Sequence, residues 1–327
     1  MTDKTSLGDR MKDLEGRPQG SRVLPLVPVI ARLDGRAFHS FTKGLHRPYD
    51  ERLHSLMRET TRFLVEETNA RLGYTQSDEI SLVWYSDDPK SQIFMDGKVS
   101  KMTSLLAAMA TAEFNRHLPT YLPEKAERVA LCYLATPVFD CRVFVVPTQT
   151  EAANCILWRV MDATRNSIQM AGQANFSHKT LHGKSCDEIQ EMLHSQKGIN
   201  WSRDYPKWAK EGSFFQRRTI TRAFTATEIE RLPAKHEART NPGLTVERSE
   251  VKLLDMPPFG RVLNRNAVIF DGIGPILACN LDNPSDQAKL AQMLCNPEAV
   301  AQEMTRPVLA QAKDALANPP SLFPGTT

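Results

Sequence analysis

Residues 74–85 have the sequence YTQSDEISLVWY, a pattern typical of a β-hairpin. Two stretches rich in β-branched and aromatic residues, 74–76 and 80–85, flank the polar tripeptide Ser77-Asp78-Glu79. Such stretches on either side of a short polar turn predict two antiparallel strands that carry the polar residues at their tip. We therefore place two consecutive strands at the centre of the predicted fold.

Four further elements surround the hairpin, and each follows from hydrophobic periodicity. Asp50 is the predicted N-cap of the first helix, and Gly73 is its predicted stop. The order β-α-β-β-α-β predicts an α+β protein with the ferredoxin-like split βαβ fold, in which two helices back an antiparallel sheet. The four elements are a strand at residues 23–33, a helix at 50–72, a second helix at 100–118 before Pro119, and a strand at 139–146.

The chain changes in character beyond about residue 215, where arginines cluster and prolines divide the sequence into short pieces. We therefore predict an N-terminal domain at residues 1–215, which includes a long helix at 151–174, and a C-terminal extension at 216–327. In the extension we expect short strands at 251–254, 262–263 and 268–270, and helices at 285–294 and 298–317.

Composition limits the class of protein. The 327 residues include 41 Lys plus Arg and 38 Asp plus Glu, for a net charge of +3, so a nucleic-acid site must come from local clustering. No apolar stretch approaches the roughly 20 residues that span a bilayer, so we expect no membrane partner. The charged first residues lack the apolar segment of a secretion signal, which predicts a cytoplasmic protein. The six cysteines have no CxxC spacing, which predicts reduced thiols.

Carboxylates from distant parts of the sequence are expected to converge. A right-handed crossover makes the first and second strands parallel, so their carboxyl ends share one sheet edge. Asp34 is predicted just past the first strand, and Asp78 and Glu79 lie at the hairpin tip. Like charges this close repel unless divalent cations lie between them, which predicts a two-metal phosphoryl-transfer site. Asp34-Gly35 as an ordinary surface turn and Asp78-Glu79 as a polar tip remain an open alternative.

Basic residues are expected near the same edge. Arg36 and Lys43 follow Asp34, and Lys98 and Lys101 lie at the start of the second predicted helix. A helix N-terminus with lysines is suited to binding a triphosphate. Taken singly, each of these residues is more typical of a solvated surface charge, and their grouping at one edge is what favours a site.

Four segments resemble the ordered motifs of the tRNA-histidine guanylyltransferase family. They are RLDGRAFH at 32–39, QSDEISLV at 76–83, SKMT at 100–103 and FDCRV at 139–143. The resemblance covers about residues 22–215. It implies a domain like the palm of ordinary polymerases, two Mg²⁺ ions, nucleoside triphosphate substrates including GTP and ATP, and a tRNA whose 5′ end is extended. It also implies a homo-oligomer, either a dimer or a tetramer.

The resemblance also implies roles for individual residues. The metal ligands fall on Asp34, the carbonyl of Gly35, and Asp78, with Glu79 as a supporting catalytic carboxylate. Phosphate or nucleotide contacts fall on Arg36, Ala37, Phe38, His39, Lys43, Ser77 and Lys101, besides Gly35. For the RNA backbone, our weaker candidates are Arg142, Arg159, Arg165, Asn166, Lys179, Arg217 and Arg218.

One departure from the family pattern bears on the type of reaction. Members that add guanosine to tRNA-histidine carry a histidine where this chain has Thr164, and Asn166 alone matches cleanly in the following run. The departure favours the branch of template-directed 3′-5′ polymerases that repair tRNA 5′ ends. The alternatives are addition of a single 5′ guanosine, a palm-fold nucleotide cyclase, and a non-catalytic RNA-binding module.

Overall fold

A computed structural model describes residues 22–277 apart from Pro25, Pro89 and Pro242. Its centre is a six-stranded sheet in the order β4-β1-β3-β2-β5-β6, with every neighbouring pair antiparallel. Because β1 and β2 both pair with β3, they run in the same direction, as predicted. The strands are β1 (Val29–Gly35), β2 (Leu72–Gln76), β3 (Glu79–Trp84), β4 (Phe139–Val145), β5 (Ser213–Ala223) and β6 (Thr245–Leu254).

Helices connect the strands and cover the sheet. Among the described helices, none combines the length and the hydropathy that crossing a bilayer requires. The helices are α1 (Phe38–Phe41), α2 (Glu51–Thr68), α3 (Val99–Tyr121), α4 (Pro123–Leu131), α5 (Gln149–Asn175), α6 (His178–Leu181), α7 (Cys186–Lys197), α8 (Trp201–Asp204), α9 (Lys207–Glu211), α10 (Ala226–Arg231) and α11 (Arg265–Phe270).

The sheet is covered on both faces. On one face, Leu33 of β1 and Leu82 of β3 pack in one core with Leu56 of α2 and Phe114 of α3, all fully buried. A Leu or Phe side chain buried in this way contributes about 1.5–3 kcal/mol to the free energy of unfolding. The second face packs against α5 and α11 in a separate core. The mixed helix and antiparallel-sheet architecture is confirmed, whereas helices on both faces were not predicted.

The first strand begins later than predicted. Residues 23–33 were expected, but β1 spans Val29–Gly35. Proline lacks a backbone N–H and cannot donate to a strand ladder, so Pro28 marks the boundary; its carbonyl accepts from the N–H of Val146 at 3.1 Å. Asp34 therefore lies within the strand, and the prediction that it follows the strand is wrong.

The first long helix also differs at its end. Asp50 is its N-cap as predicted, and its side chain accepts from the N–H of Arg52 at 3.0 Å. However, α2 ends at Thr68, because Asn69 adopts the left-handed conformation with φ of 56°. Gly73, the predicted stop, lies inside β2, where a Cβ would come within 2.4 Å of the Val65 side chain.

Three other predicted boundaries are corrected. Pro119 does not end the second long helix, because α3 continues to Tyr121. The predicted strand at 268–270 is part of helix α11, whose six residues are all buried, so its apolar run is that of a core helix. At 262–263 the structure has a single β-bridge between Val262 and Leu277.

Beyond the first four strands the sheet continues through residue 215. Strand β5 spans that position and pairs with both β2 and β6, which contains the predicted strand at 251–254. The division into domains at 1–215 and 216–327 remains a prediction. The predicted helices at 285–294 and 298–317, and Cys279 and Cys295, lie outside the described residues. The described cysteines, Cys132, Cys141, Cys155 and Cys186, are free thiols.

Candidate active site

A row of carboxylates lies across three neighbouring strands, at the edge of the sheet where β1 ends and β3 begins. Asp34 of β1 lies opposite Glu79 of β3 on one side and opposite Asp140 of β4 on the other. Directly opposed residues of antiparallel strands have Cβ atoms about 4.5–5.5 Å apart and share a face. Asp78 precedes Glu79 on the hairpin turn, and its carbonyl accepts from the N–H of Gly35 at 3.1 Å. The structure thus brings together the carboxylates that the sequence analysis singled out.

Electrostatic crowding perturbs these groups. Burial and, less strongly, the Asp34 carboxylate raise the pKa of Asp78 to about 6. Partial desolvation of its carboxylate and then the Asp140 carboxylate raise the pKa of Asp34, while the guanidiniums of Arg32 and Arg142 act in the opposite direction. A site in which carboxylates resist ionisation is one where a cation between them lowers the free energy.

Glu79 faces a different partner from the other carboxylates. It is 7% exposed and accepts two hydrogen bonds of 2.6 Å from Arg159 of α5. Burial raises the pKa of Glu79 above its ordinary value, and the Arg159 guanidinium offsets only part of this increase. The same guanidinium donates to Asp162 at 2.9 Å. Arg159, predicted to grip RNA, is buried in this internal ion pair, so that prediction is corrected.

The turn after β1 is held by an aromatic anchor. Phe38 is 3% exposed and packs against Phe114 and Phe139, with ring centroids 5.5 and 5.3 Å away. A Cβ on Gly35 would lie 2.4 Å from the Phe38 ring, so this position requires glycine. Phe38 can therefore contact a nucleotide only through its backbone.

Backbone donors are exposed at the same turn. Ala37 has φ of 56°, which turns the chain sharply into α1. Within the described residues, the N–H groups of Ala37, Phe38 and His39 have no intramolecular acceptor. Consecutive unpaired N–H groups form a concavity suited to anions.

A cleft of about 280 Å³ adjoins this turn. Its walls include His39, Lys43 and Ser77 from the predicted nucleotide site, and His46 and Arg47 from the loop before α2. Helix α5 closes the other side through Met170, Gln173 and Ala174. The structure therefore places a basic cleft next to the carboxylates.

Lys98 and Lys101 do not join this group. Helix α3 follows β3, and β3 is antiparallel to β1, so the helix begins at the opposite edge of the sheet. Lys101 lines a different cleft with Trp84 and Tyr85, which lie at the far end of β3. The expectation that these lysines meet Asp34 at one edge is wrong within this chain.

The weaker RNA candidates have separate locations. Arg217 donates to the carbonyls of Val65 and Glu66 at the end of α2, and Arg218 pairs with Glu250 at 2.9 Å. These two arginines make contacts within the protein, at the end of the sheet away from Asp34. Their assignment to RNA binding is therefore corrected. Arg165 pairs with Asp162, Lys179 is exposed on α6, Asn166 is exposed on α5, and Arg142 is exposed on the face of the sheet that carries Asp34.

Three residues near the carboxylates were missed as site residues. Alternation along β4 places Asp140 on the face opposite the buried Phe139, but only the register puts it beside Asp34. Arg32 lies on the same face, two residues before Asp34, and its guanidinium is 5.7 Å from the ring centroid of Trp158. Trp158 is 50% exposed, an unusual state for a side chain of its size.

A second acidic cluster lies between α2 and α3. Ligand atoms of Glu59, Glu113 and His117 lie within 4.8 Å of one another, so this group is a possible metal site in the described chain. Glu59 pairs with Arg62, and Glu113 pairs with Arg116 at 2.8 Å. The cluster therefore already has counter-charges of its own.

The sequence and the fold both match known proteins. Residues 8–147 match the family model described as Thg1, tRNAHis guanylyltransferase. The tRNA(His) guanylyltransferase of Schizosaccharomyces pombe is 30% identical over 212 residues, which cover 61% of this chain and 77% of that protein. The chain belongs to the tRNA-histidine guanylyltransferase family. As a member it is a nucleotidyltransferase.

Solved structures agree with this assignment. A bacterial tRNA(His) guanylyltransferase (Thg1)-like protein in complex with ATP has a TM-score of 0.58 and 38% identity, over 65% of this chain and 87% of that one. A bacterial Thg1-like protein in complex with GTP has a TM-score of 0.56 and 30% identity, over 78% and 94%. The predicted resemblance is therefore confirmed at the level of the family.

The raised pKa of Asp78 should make the free energy of unfolding depend on pH. Its folded pKa of about 6 lies above the ordinary aspartate value of 3.8, so the folded protein binds more protons than the unfolded one between these values. Stability from this group is therefore full below about pH 4 and is lost as pH rises through 6. We expect Asp78→Asn to increase the free energy of unfolding by about 1–2 kcal/mol at pH 8 in EDTA, and to change it little near pH 4.

Urea unfolding at both pH values measures this difference. Asp87→Asn, at an exposed aspartate beyond β3, is the matched control and should leave stability unchanged at pH 8. A less stable Asp78→Asn protein at pH 8 would contradict the assignment of strain to this carboxylate.

Proposed function

We propose that this protein is a template-directed 3′-5′ nucleotidyltransferase that adds nucleotides to the 5′ end of tRNA. The observation that carries the proposal is the meeting of Asp34 and Asp78 at one sheet edge, beside a basic cleft and an anion-binding turn. The β-α-β-β-α-β order, with β4-β1-β3-β2 as four consecutive neighbours in the sheet, supports a ferredoxin-like domain resembling polymerase palms.

The donor set at this edge suits two Mg²⁺ ions. Asp34, the carbonyl of Gly35, and Asp78 would hold them, since Mg²⁺ prefers hard oxygens and keeps few protein ligands. Asp140 lies close enough to Asp34 to perturb its pKa, so it adds negative charge at the same point. When bound, the ions would lower the pKa of an attacking hydroxyl and stabilise the leaving phosphate.

The triphosphate is proposed to bind across the turn after β1. The free N–H groups of Ala37, Phe38 and His39 would donate hydrogen bonds to its oxygens, and the cations of the adjoining cleft would balance its charge. Bacterial Thg1-like relatives solved with ATP and with GTP support nucleoside triphosphates as substrates.

The reaction needs no protein nucleophile. A 5′-monophosphate of the tRNA attacks the α-phosphorus of ATP or GTP and releases pyrophosphate. The 3′-hydroxyl of an incoming triphosphate then attacks the activated 5′ phosphorus, loses its proton, and displaces the nucleoside monophosphate. The chain's part is to align the reacting groups and neutralise charge. Arg32 and Arg142 lie opposite each other on the face that carries Asp34, where an RNA end would need cations.

Thr164 supports the template-directed branch. Its Oγ1 lies 3.1 Å from the carbonyl oxygens of Val160 and Lys210 and can donate to either, and the bond to Lys210 links α5 to α9. A side chain used in this way cannot supply the reach or the charge of a histidine. Base pairing with the opposite strand would then select the incoming nucleotide.

Addition of a single guanosine is the second candidate, and fungal relatives carry the name tRNA(His) guanylyltransferase. No observation on the described residues favours a nucleotide cyclase, and the retained carboxylates oppose a non-catalytic module. A homo-oligomer, dimer or tetramer, and a cytoplasmic location remain predictions.

Product sizing should distinguish the two candidates. We expect a tRNA that lacks its first 5′ nucleotide to gain whichever nucleotide complements the exposed base, because pairing supplies the selection. Four such tRNAs, which differ only in that base, would each be incubated with each triphosphate and Mg²⁺. Full-length tRNA-histidine is the control and should be extended more slowly. Guanosine addition regardless of the opposing base would restore the second candidate.

A further inference from the structure

A second cleft lies on the other side of α1 from the proposed triphosphate site. Its volume is about 130 Å³. Arg36, Lys125 and Arg128 line it, and among the described residues no acidic side chain does. The remaining walls are small or apolar, including Phe41 and Val129. Three cations thus converge on a space with no carboxylate to balance them.

Lys125 is the unusual member of this group. It is 6% exposed, its ammonium donates to the Lys43 carbonyl at 2.5 Å, and the same nitrogen lies 5.7 Å from the ring centroid of Phe41. These partners are neutral, and burying an ammonium without an anion is costly. The ammonium therefore has donor capacity left for a negatively charged ligand.

The charges around Lys125 also favour a bound anion. Burial and then the Arg128 guanidinium lower the pKa of Lys125, whereas Glu124 and Asp50 raise it less. Both of these carboxylates are already paired with Arg52, at 3.1 and 2.8 Å. An anion bound in the cleft would be the direct counter-charge for Lys125 and Arg128.

We infer that this cleft binds a phosphate group and that the RNA backbone supplies it. The inference rests on the proposed function. Arg36 directly follows Gly35, and its N–H donates to the Val138 carbonyl at 2.9 Å, so the cleft begins one residue from the proposed metal site. The cleft that contains His39 and Lys43 lies on the opposite side of α1 and is left for the triphosphate. A strand with its end at Asp34 would bring a neighbouring phosphate to Lys125, with apolar walls beside the ribose.

Salt-dependent binding tests the inference. The probe is a fluorescently labelled tRNA that lacks its first 5′ nucleotide, and its Kd would be measured by anisotropy at several KCl concentrations. We expect Arg128→Ala, at an exposed residue, to raise the Kd roughly tenfold at low salt. The slope of log Kd against log salt should fall by about 0.7–0.9 for each lost phosphate contact. Lys125→Met, which keeps an apolar stem, should act in the same direction.

A matched control and a second measurement separate the outcomes. Lys235→Met removes one exposed cation outside the cleft and should leave the slope unchanged. The KM for GTP should be unaltered in Arg128→Ala if RNA supplies the phosphate. A raised KM with an unchanged RNA slope would instead assign the phosphate to the triphosphate, which overturns the RNA source and keeps the phosphate site.

An unchanged slope and an unchanged KM in both variants would overturn the inference. A wild-type protein that does not bind the tRNA at all would count against the proposed function instead. The two failures are distinguished by tRNA binding to the wild-type protein, which is measured at equilibrium and requires no turnover.

Discussion

Asp34→Ala and Asp78→Ala should each reduce the rate of nucleotide transfer by at least about 10³-fold, since each removes a ligand from the proposed two-metal site. Metal ions at such a site supply several kcal/mol of transition-state stabilisation, and every 1.36 kcal/mol is a factor of ten in rate. The measurement is a single-turnover rate on a labelled tRNA that lacks its first 5′ nucleotide.

These variants should remain folded. Asp34 is exposed, and the Asp78 carboxylate accepts from the neighbouring Ser77 hydroxyl at 3.0 Å, so alanine leaves no buried partner unpaired. Circular dichroism and urea unfolding verify this point. Asp87→Ala, at an exposed aspartate beyond β3, serves as the control and should keep the wild-type rate. A rate within tenfold of wild type for either active-site variant would refute the two-metal assignment.

Arg159→Met should destabilise the protein by about 3–5 kcal/mol, because it leaves the Glu79 carboxylate buried without its cation. Glu79 is 7% exposed and Arg159 is 9% exposed, and two hydrogen bonds of 2.6 Å join them. The free energy of unfolding from urea titration measures the loss. The fold is affected because this pair joins α5 to β3.

A compensating change tests the cause. Arg159→Met combined with Glu79→Gln should recover much of the lost stability, since a neutral amide costs less to bury than an unpaired carboxylate. Arg165→Met removes the exposed partner of Asp162 and should cost less than about 1 kcal/mol. A loss below 1 kcal/mol for Arg159→Met alone would show that water replaces the guanidinium.

Much of the site follows from rules that act on sequence. Hydrophobic periodicity gave the order of the elements, and the handedness of the crossover implied that β1 and β2 run in parallel. Together these rules place Asp34 and Asp78 at one edge, and the register of β1 with β3 has that arrangement. Strand ends are harder to predict, because the prolines before Val29 interrupt an otherwise apolar run.

The same topology explains the displaced lysines. A hairpin reverses the chain, so whatever follows β3 begins at the edge away from Asp34. Lys101 lies there because of that reversal, and its charge alone does not reveal this position. The direction of each strand therefore has to be followed through the whole order before charges are grouped.

Contacts between side chains that are distant in the sequence could not be predicted. The contact of Asp34 with Asp140 depends on the register between β1 and β4, which the alternation of a single strand does not contain. The Glu79–Arg159 pair joins positions 80 residues apart, and Arg159 looks like any surface cation until the packing of α5 is known. Both are properties of the assembled sheet rather than of a local pattern.

The hydrogen bond from the Gly35 N–H to the Asp78 carbonyl has an evolutionary consequence. It joins the two halves of the site through main-chain atoms, which no substitution of a side chain at position 78 removes. The distance between the two positions is therefore set by the backbone and does not depend on which side chains they carry. A lineage could exchange either carboxylate, lose the activity, and later regain it by a single reversion, because the scaffold that aligns the pair would have persisted.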